Sequence, residues 1–204
     1  MPMDTRVLPI LARKVADLVA AAPAAGLEPG TLWWQAQARD RMVARLVFVP
    51  DSRIDVAIWW NRAGRRPDIQ LVFGLYGGSV ELGSLKGNGF DAPDLHRRGF
   101  GTFAVNVAVQ ALQRTCPGGM LVHGVLSNTA EAGLPLTERL PLEAGRRVFW
   151  RRFGLDVVIH GMPPLDYLRG RVGDMRTAPG SMIAAQFARS VALQDFTAAV
   201  PEGY

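Results

Sequence analysis

Cysteine is nearly absent: Cys116 is the only one in 204 residues. An internal disulfide and a cysteine-built zinc cluster are therefore excluded, no metal site is expected, and a reducing cytoplasm fits. Cys116 stands in a Cys-Pro-Gly-Gly turn without the context of a nucleophile, so a plain surface or semi-buried thiol is expected. The common nucleotide loops are missing as well. No Gly-x-x-x-x-Gly-Lys-Ser/Thr string occurs, and Gly99-Phe100-Gly101 leads to Ala104 with no acidic residue about 20 positions on. No Gly-x-Ser-x-Gly elbow offers a nucleophilic serine. No apolar run approaches the roughly 20 residues of a membrane span. Arg13, Lys14 and Asp17 interrupt the apolar start, so an amphipathic helix over residues 5–22 is expected there rather than a signal peptide. Neither an internal repeat nor a low-complexity tract appears.

What is present suits one globular domain over residues 1–204. Hydrophobic residues make up 49% and charged residues 20%. The net charge is +5 and the pI about 10.1. The positive charges gather at Arg62, Arg65 and Arg66, at Arg97 and Arg98, and at Arg146, Arg147, Arg151 and Arg152. Such a balance permits nucleic acid, but no basic–aromatic interleaving supports it, and solvated faces are the simpler reading.

The order of elements is legible from punctuation and period. Strands are expected over residues 43–49, 55–61, 69–76 and 79–86, separated by Pro50-Asp51-Ser52, by residues 63–67 and by Gly77-Gly78. Residues 32–42 are ambiguous. A helix over 100–114, a strand over 120–127, a helix over 142–153 and a strand over 156–161 follow. Pro141 near a first turn and Gly154 just past a last one suit the second helix. Residues 162–180 read as irregular. A last helix over 182–196 is expected from the stripe Ile183, Phe187 and Val191. It can pack on the core or on a second subunit, so a homodimer stays open.

One stretch, "LHRRGFGTFAVNVAVQALQ", concentrates the chemistry. Val105, Ala108, Val109 and Leu112 form one buried helical face, and Asn106, Gln110 and Gln113 a polar stripe. The helix starts near Gly99 to Thr102. A helix N-terminus presents free N–H groups and the positive dipole end, glycines let a ligand approach the backbone, and Arg97 and Arg98 add charge. An anion cradle and an ordinary helix start are both compatible with the residues alone.

The string "HRRGFGT" resembles the pyrophosphate-binding motif of GNAT-type N-acetyltransferases, Gln/Arg-x-x-Gly-x-Gly/Ala, with His96, Gly99 and Gly101 at its defined positions. "RVFWRRFGLDVV" is similar to that family's later helix and strand, with Trp150 where a tyrosine is usual. "GMLVHGVLSN" looks like its strand ending in asparagine, here Asn128. The resemblance covers about residues 80–161. It implies an α/β (α+β) GNAT fold with a mixed central sheet and an added C-terminal helix. It implies acetyl-coenzyme A as co-substrate, held at His96, Arg97, Arg98, Gly99, Phe100, Gly101 and Thr102 with Asn128 nearby. It implies transfer of the acetyl group to an amine acceptor whose identity stays open.

Direct transfer needs the amine neutral when it attacks. The family often places a carboxylate base on the strand before the cradle, and Glu81 is the candidate there; a solvent-facing strand residue is its plain alternative. Asp91 and Asp94 stand closer, in a loop. Trp150 cannot act as the usual tyrosine acid; Tyr76 and Tyr167 are substitutes without positional support. His123 lies inside a strand and is expected as a hydrogen-bonded core residue. Trp33, Trp34, Trp59 and Trp60 suit the lining of an acceptor pocket, but packing in the core is the simpler expectation. The alternative function is a catalytically weak or inactive relative that binds coenzyme A or a macromolecule.

Overall fold

The computed structural model describes residues 27–36, 42–60, 66–87, 98–126, 133–160, 165–179 and 192–201. It is an α+β architecture in which strands dominate. Eight strands form one mixed sheet: β1 (Gly30–Gln35), β2 (Met42–Val49), β3 (Arg53–Trp60), β4 (Ile69–Tyr76), β5 (Ser79–Gly87), β6 (Leu121–Leu126), β7 (Asp156–His160) and β8 (Leu165–Arg171). Their spatial order is β1-β2-β3-β4-β5-β6-β8-β7. Two α-helices are described, α1 (Phe100–Thr115) and α2 (Leu136–Arg151). No described helix is long and apolar enough to cross a membrane.

The first five strands form an antiparallel meander; the turn residues predict it for β2 to β5, and β1 extends it. A bulge interrupts the β4–β5 ladder between Val72 and Phe73, leaving Gly83 as the extra residue on β5. β5 then pairs with β6 in parallel, and such a pair needs a crossover, which α1 supplies. β6, β8 and β7 are antiparallel to one another in that order.

The core lies between the sheet and α1. Leu46, Ile54, Val56, Ile58, Leu71 and Phe73 point from the sheet at Ala104, Val105, Ala108 and Leu112, and all are fully buried. The polar stripe of α1 has a second use. Asn106 takes both backbone groups of Ala178, donating to its carbonyl at 2.9 Å and accepting from its N–H at 2.8 Å. Gln113 donates to the Met175 carbonyl at 2.7 Å, and the Leu193 N–H donates to Gln110 Oε1 at 2.9 Å. These amides satisfy backbone groups that no strand or helix would satisfy. Thr197 then bridges to Trp33 at the edge of β1.

Several expectations are corrected. The ambiguous residues 32–42 hold the second part of β1, which begins at Gly30, and the first residue of β2. Residues 165–171 are β8, an interior strand; its core-facing positions are Asp166, Leu168 and Gly170, so the apolar alternation that marks a strand was hidden. α2 starts six residues earlier than expected, and Pro141 lies inside it. That proline is exposed, so its missing N–H costs less than in a buried helix. Of the last helix, residues 182–191 with Ile183, Phe187 and Val191 lie outside the described residues. Residues 193–195 form a single 3-10 turn, so a helix does not continue to 196.

Removing the Asn106 amide strands two backbone groups at Ala178. Asn106→Ala should destabilise the chain by about 2 kcal/mol, roughly 4–8 °C in melting temperature by calorimetry; Asn106→Asp, which keeps only the acceptor, should fall between.

Candidate functional site

β5 and β6 stay together only briefly. Residues 79–82 pair with residues 121–124, and there the parallel ladder ends. Beyond it β5 continues against β4 and β6 against β8. A β-carbon on Gly124 would lie 2.7 Å from the Leu82 β-carbon, so the two strands touch at their last shared pair and then part.

α1 starts at this open end. Its crossover runs from the end of β5 to the start of β6, so its N-terminus lies at the strands' C-terminal edge. Phe100 is 2% exposed and packs edge-on against Trp60 at the end of β3, with centroids 5.1 Å apart. Trp34 packs on Phe103 at 5.3 Å. Gly99 is the N-cap with φ of 91°, a left-handed conformation that favours glycine. The first intrahelical bond is Phe103 N–H to the Gly99 carbonyl at 2.9 Å. The N–H groups of Phe100, Gly101 and Thr102 precede it. No side chain caps them and the first turn holds no acid. Arg98 beside them is exposed, and Thr102 is buried.

This brings Arg98, Gly99, Phe100, Gly101 and Thr102 together at one helix start. His96, Arg97, Asn128, Asp91 and Asp94 lie outside the described residues. Glu81 is elsewhere. It is exposed on the sheet face opposite α1, in register with His123. His123 is exposed rather than in the core, because Val122, Gly124 and Leu126 take the inward positions of β6. Its Nε2 lies 3.1 Å from Ser79 Oγ.

α2 docks beside the same edge. The Phe149 ring faces Gly101, 3.6 Å from where a β-carbon would stand. Arg147 Nε donates to both oxygens of buried Asp166, at 3.0 and 2.8 Å. This bond, before the Coulombic pull of Asp166 and Glu143, pushes the guanidinium pKa above its ordinary value. Arg139, Glu143 and Arg147 continue the chain of ion pairs along α2. Sequence reasoning missed this anchor: Arg147 and Asp166 are 19 residues apart, and only the strand after α2 reveals the partner. Trp150, 2% exposed, packs among Phe149 and Phe153. Tyr76 is exposed at the opposite edge, next to the β4–β5 turn.

No protein-family model matches this chain, and no curated protein or solved structure matches it either. The four tryptophans of β1 and β3 divide between two faces. Trp34 and Trp60 pack toward α1, whereas Trp33 and Trp59 stack on the other face, 6.1 Å apart, beside the Arg45 guanidinium. Among the described residues no cluster of His, Cys, Asp or Glu can hold a metal ion.

Cys116 is 7% exposed, more buried than expected, at the far end of α1. Burial pushes its thiol pKa above the ordinary value, only partly offset by the contact with Thr115. A raised pKa leaves less thiolate at a given pH, so native protein at pH 8 should react with iodoacetamide at least about tenfold more slowly than the unfolded chain. Because the folded thiol holds its proton more tightly, nothing is lost well below the ordinary thiol pKa of about 8.5, whereas as pH rises through it the unfolded thiol ionises first and stability falls. Alkylation at equal rates in both states would contradict the burial.

Proposed function

We propose that this chain has a GNAT-type fold and transfers an acetyl group from acetyl-coenzyme A to an amine by direct attack. The observation that carries the reading is the parting of β5 and β6 at the same edge of the sheet as the uncapped start of α1. An open parallel pair gives a slot for an extended chain, and the helix start offers N–H groups to phosphate at one end of it. The residues fit the group: a positive-φ glycine, three leading N–H groups, an exposed arginine and no acid in the first turn. Arg98 and the amides of Phe100, Gly101 and Thr102 would hold the pyrophosphate. Acetyl-coenzyme A would supply a thioester carbonyl open to an amine.

The chain's own contribution is then positioning. Holding the acceptor amine beside the thioester supplies much of the rate when no covalent intermediate is needed. Glu81 faces away from the helix start, so in this reading the amine gives its proton to solvent. Cys116, buried at the opposite edge, takes no part. A second reading, a coenzyme A-binding protein with little turnover, is favoured by one observation: Trp150, at the position of the usual tyrosine, is enclosed by phenylalanines and carries no acidic hydroxyl. Under that reading thioester binds but is not consumed when amines are added.

Titration calorimetry of acetyl-coenzyme A decides the first step. Binding should be measurable in the wild type and weaken at least about tenfold in Arg98→Glu, where an exposed positive charge beside the phosphate is reversed. Equal affinities in the two proteins, or no binding in the wild type, would remove the site.

A further inference from the structure

The two halves of the sheet differ on the face opposite α1. On β2 and β3 that face is covered: Val43 and Ala57 are fully buried and Trp59 is 4% exposed. On β5, β6, β8 and β7 it is open. Leu121, Val125 and Val158 are 46%, 50% and 49% exposed there. An apolar strip of this kind on a sheet face marks a contact surface.

A row of polar side chains crosses the strip. Glu81 is in register with His123, His123 with Arg169 and Arg169 with Asp156. All four are exposed, and neither Glu81 nor Arg169 makes an ion pair with another described residue. Glu81 and Arg169 therefore flank β6 symmetrically, each one strand spacing away, about 4.8 Å.

We infer that this face joins two copies of the chain, about a two-fold axis running parallel to the strands above β6. Rotation about that axis lays β5 over the partner's β8 and β6 over its own copy. Glu81 then faces the partner's Arg169, twice by symmetry, and Leu121 and Val125 meet their own copies at the centre. Sheets packed this way stand about 10 Å apart, with side chains of both inner faces filling the gap. Two neighbouring placements on the β8 side set like charges together, and one between β5 and β6 pairs Glu81 with His123 but leaves Arg169 over Gly74 without a carboxylate. An axis between β6 and β8 puts Glu81 against Asp156, and one through β8 puts Arg169 against itself. Such juxtapositions are costly, so the charges fix the register while the apolar strip supplies the attraction. The footprint spans four short strands, which places the dimer among weak, reversible pairs. The inference stands apart from acyl transfer, since the surface lies on the other face from the start of α1.

Sedimentation velocity on the full chain over about 1–100 µM should show a concentration-dependent species of twice the 22.2 kDa chain mass. Arg169→Glu and Glu81→Arg should each raise the dissociation constant at least about tenfold, and the double variant carrying both should return to within about threefold of wild type. A wild type that stays monomeric throughout, or single variants that weaken the dimer without rescue in the pair, overturns the arrangement. Should a single variant unfold, Val125→Cys in the Cys116→Ala background gives a separate reading. A short bis-maleimide should link it into dimers through residue 125; its failure to do so in a protein with native melting overturns the axis.

Discussion

Contact between Leu82 and Gly124 governs the rest of this structure. It is the last pair at which β5 and β6 share a ladder, and the two backbones come so close there that position 124 has no room for a β-carbon. A larger residue would force the strands apart one pair earlier and widen the opening. Past this point each strand follows a different neighbour. The sheet is thereby one continuous layer along one edge and two arms along the other. The parallel pairing also demands a crossover, and the crossover helix must begin at the open edge. Strand pairing, rather than any motif, sets the start of α1 at the edge of the sheet where β5 and β6 diverge.

The helix that results faces two tasks. Its apolar side closes the core over β3 and β4. Its amides at positions 106, 110 and 113 fasten the backbone of residues 175–178 and 193. A helix held on both sides is a stiff base for whatever its first turn binds. Phe100 locks that turn under Trp60, so Gly99, Gly101 and their neighbours are presented from a fixed platform rather than a loop. Arg147 and Asp166 hold α2 beside it in the same way, through charge-assisted bonds at a buried carboxylate.

Much of this was legible in the residues. The meander was announced by Gly77-Gly78 and by alternating apolar positions, and α1 by its period and the Cys-Pro-Gly-Gly stop. The helix start was placed near Gly99 to Thr102 by the glycines before the apolar period, and its N-cap is Gly99. What stayed hidden was hidden for physical reasons. β8 carries Asp166 and Gly170 where a strand normally shows apolar residues; one is neutralised by Arg147 and the other lies under Leu155. Local pattern cannot announce a strand whose inward polar group is paired by a distant helix. The early start of α2 was masked by Pro141, which an exposed turn tolerates. His123 was misplaced because a histidine among apolar neighbours looks internal until the phase of the strand is known. The Asn106, Gln110 and Gln113 stripe was read only as polar, since nothing in its spacing tells that residues 175–178 and 193 lie across it.

The central claim is that the parting of β5 and β6 and the first turn of α1 form one binding slot. Amide hydrogen exchange with and without coenzyme A, followed residue by residue, tests it most directly. The account predicts slowed exchange at two places at once: the amides of residues 100–103, and those of residues 83–87 on β5 beyond the Leu82–Gly124 contact. Protection at neither, or protection confined to the opposite edge of the sheet near Cys116, would contradict it.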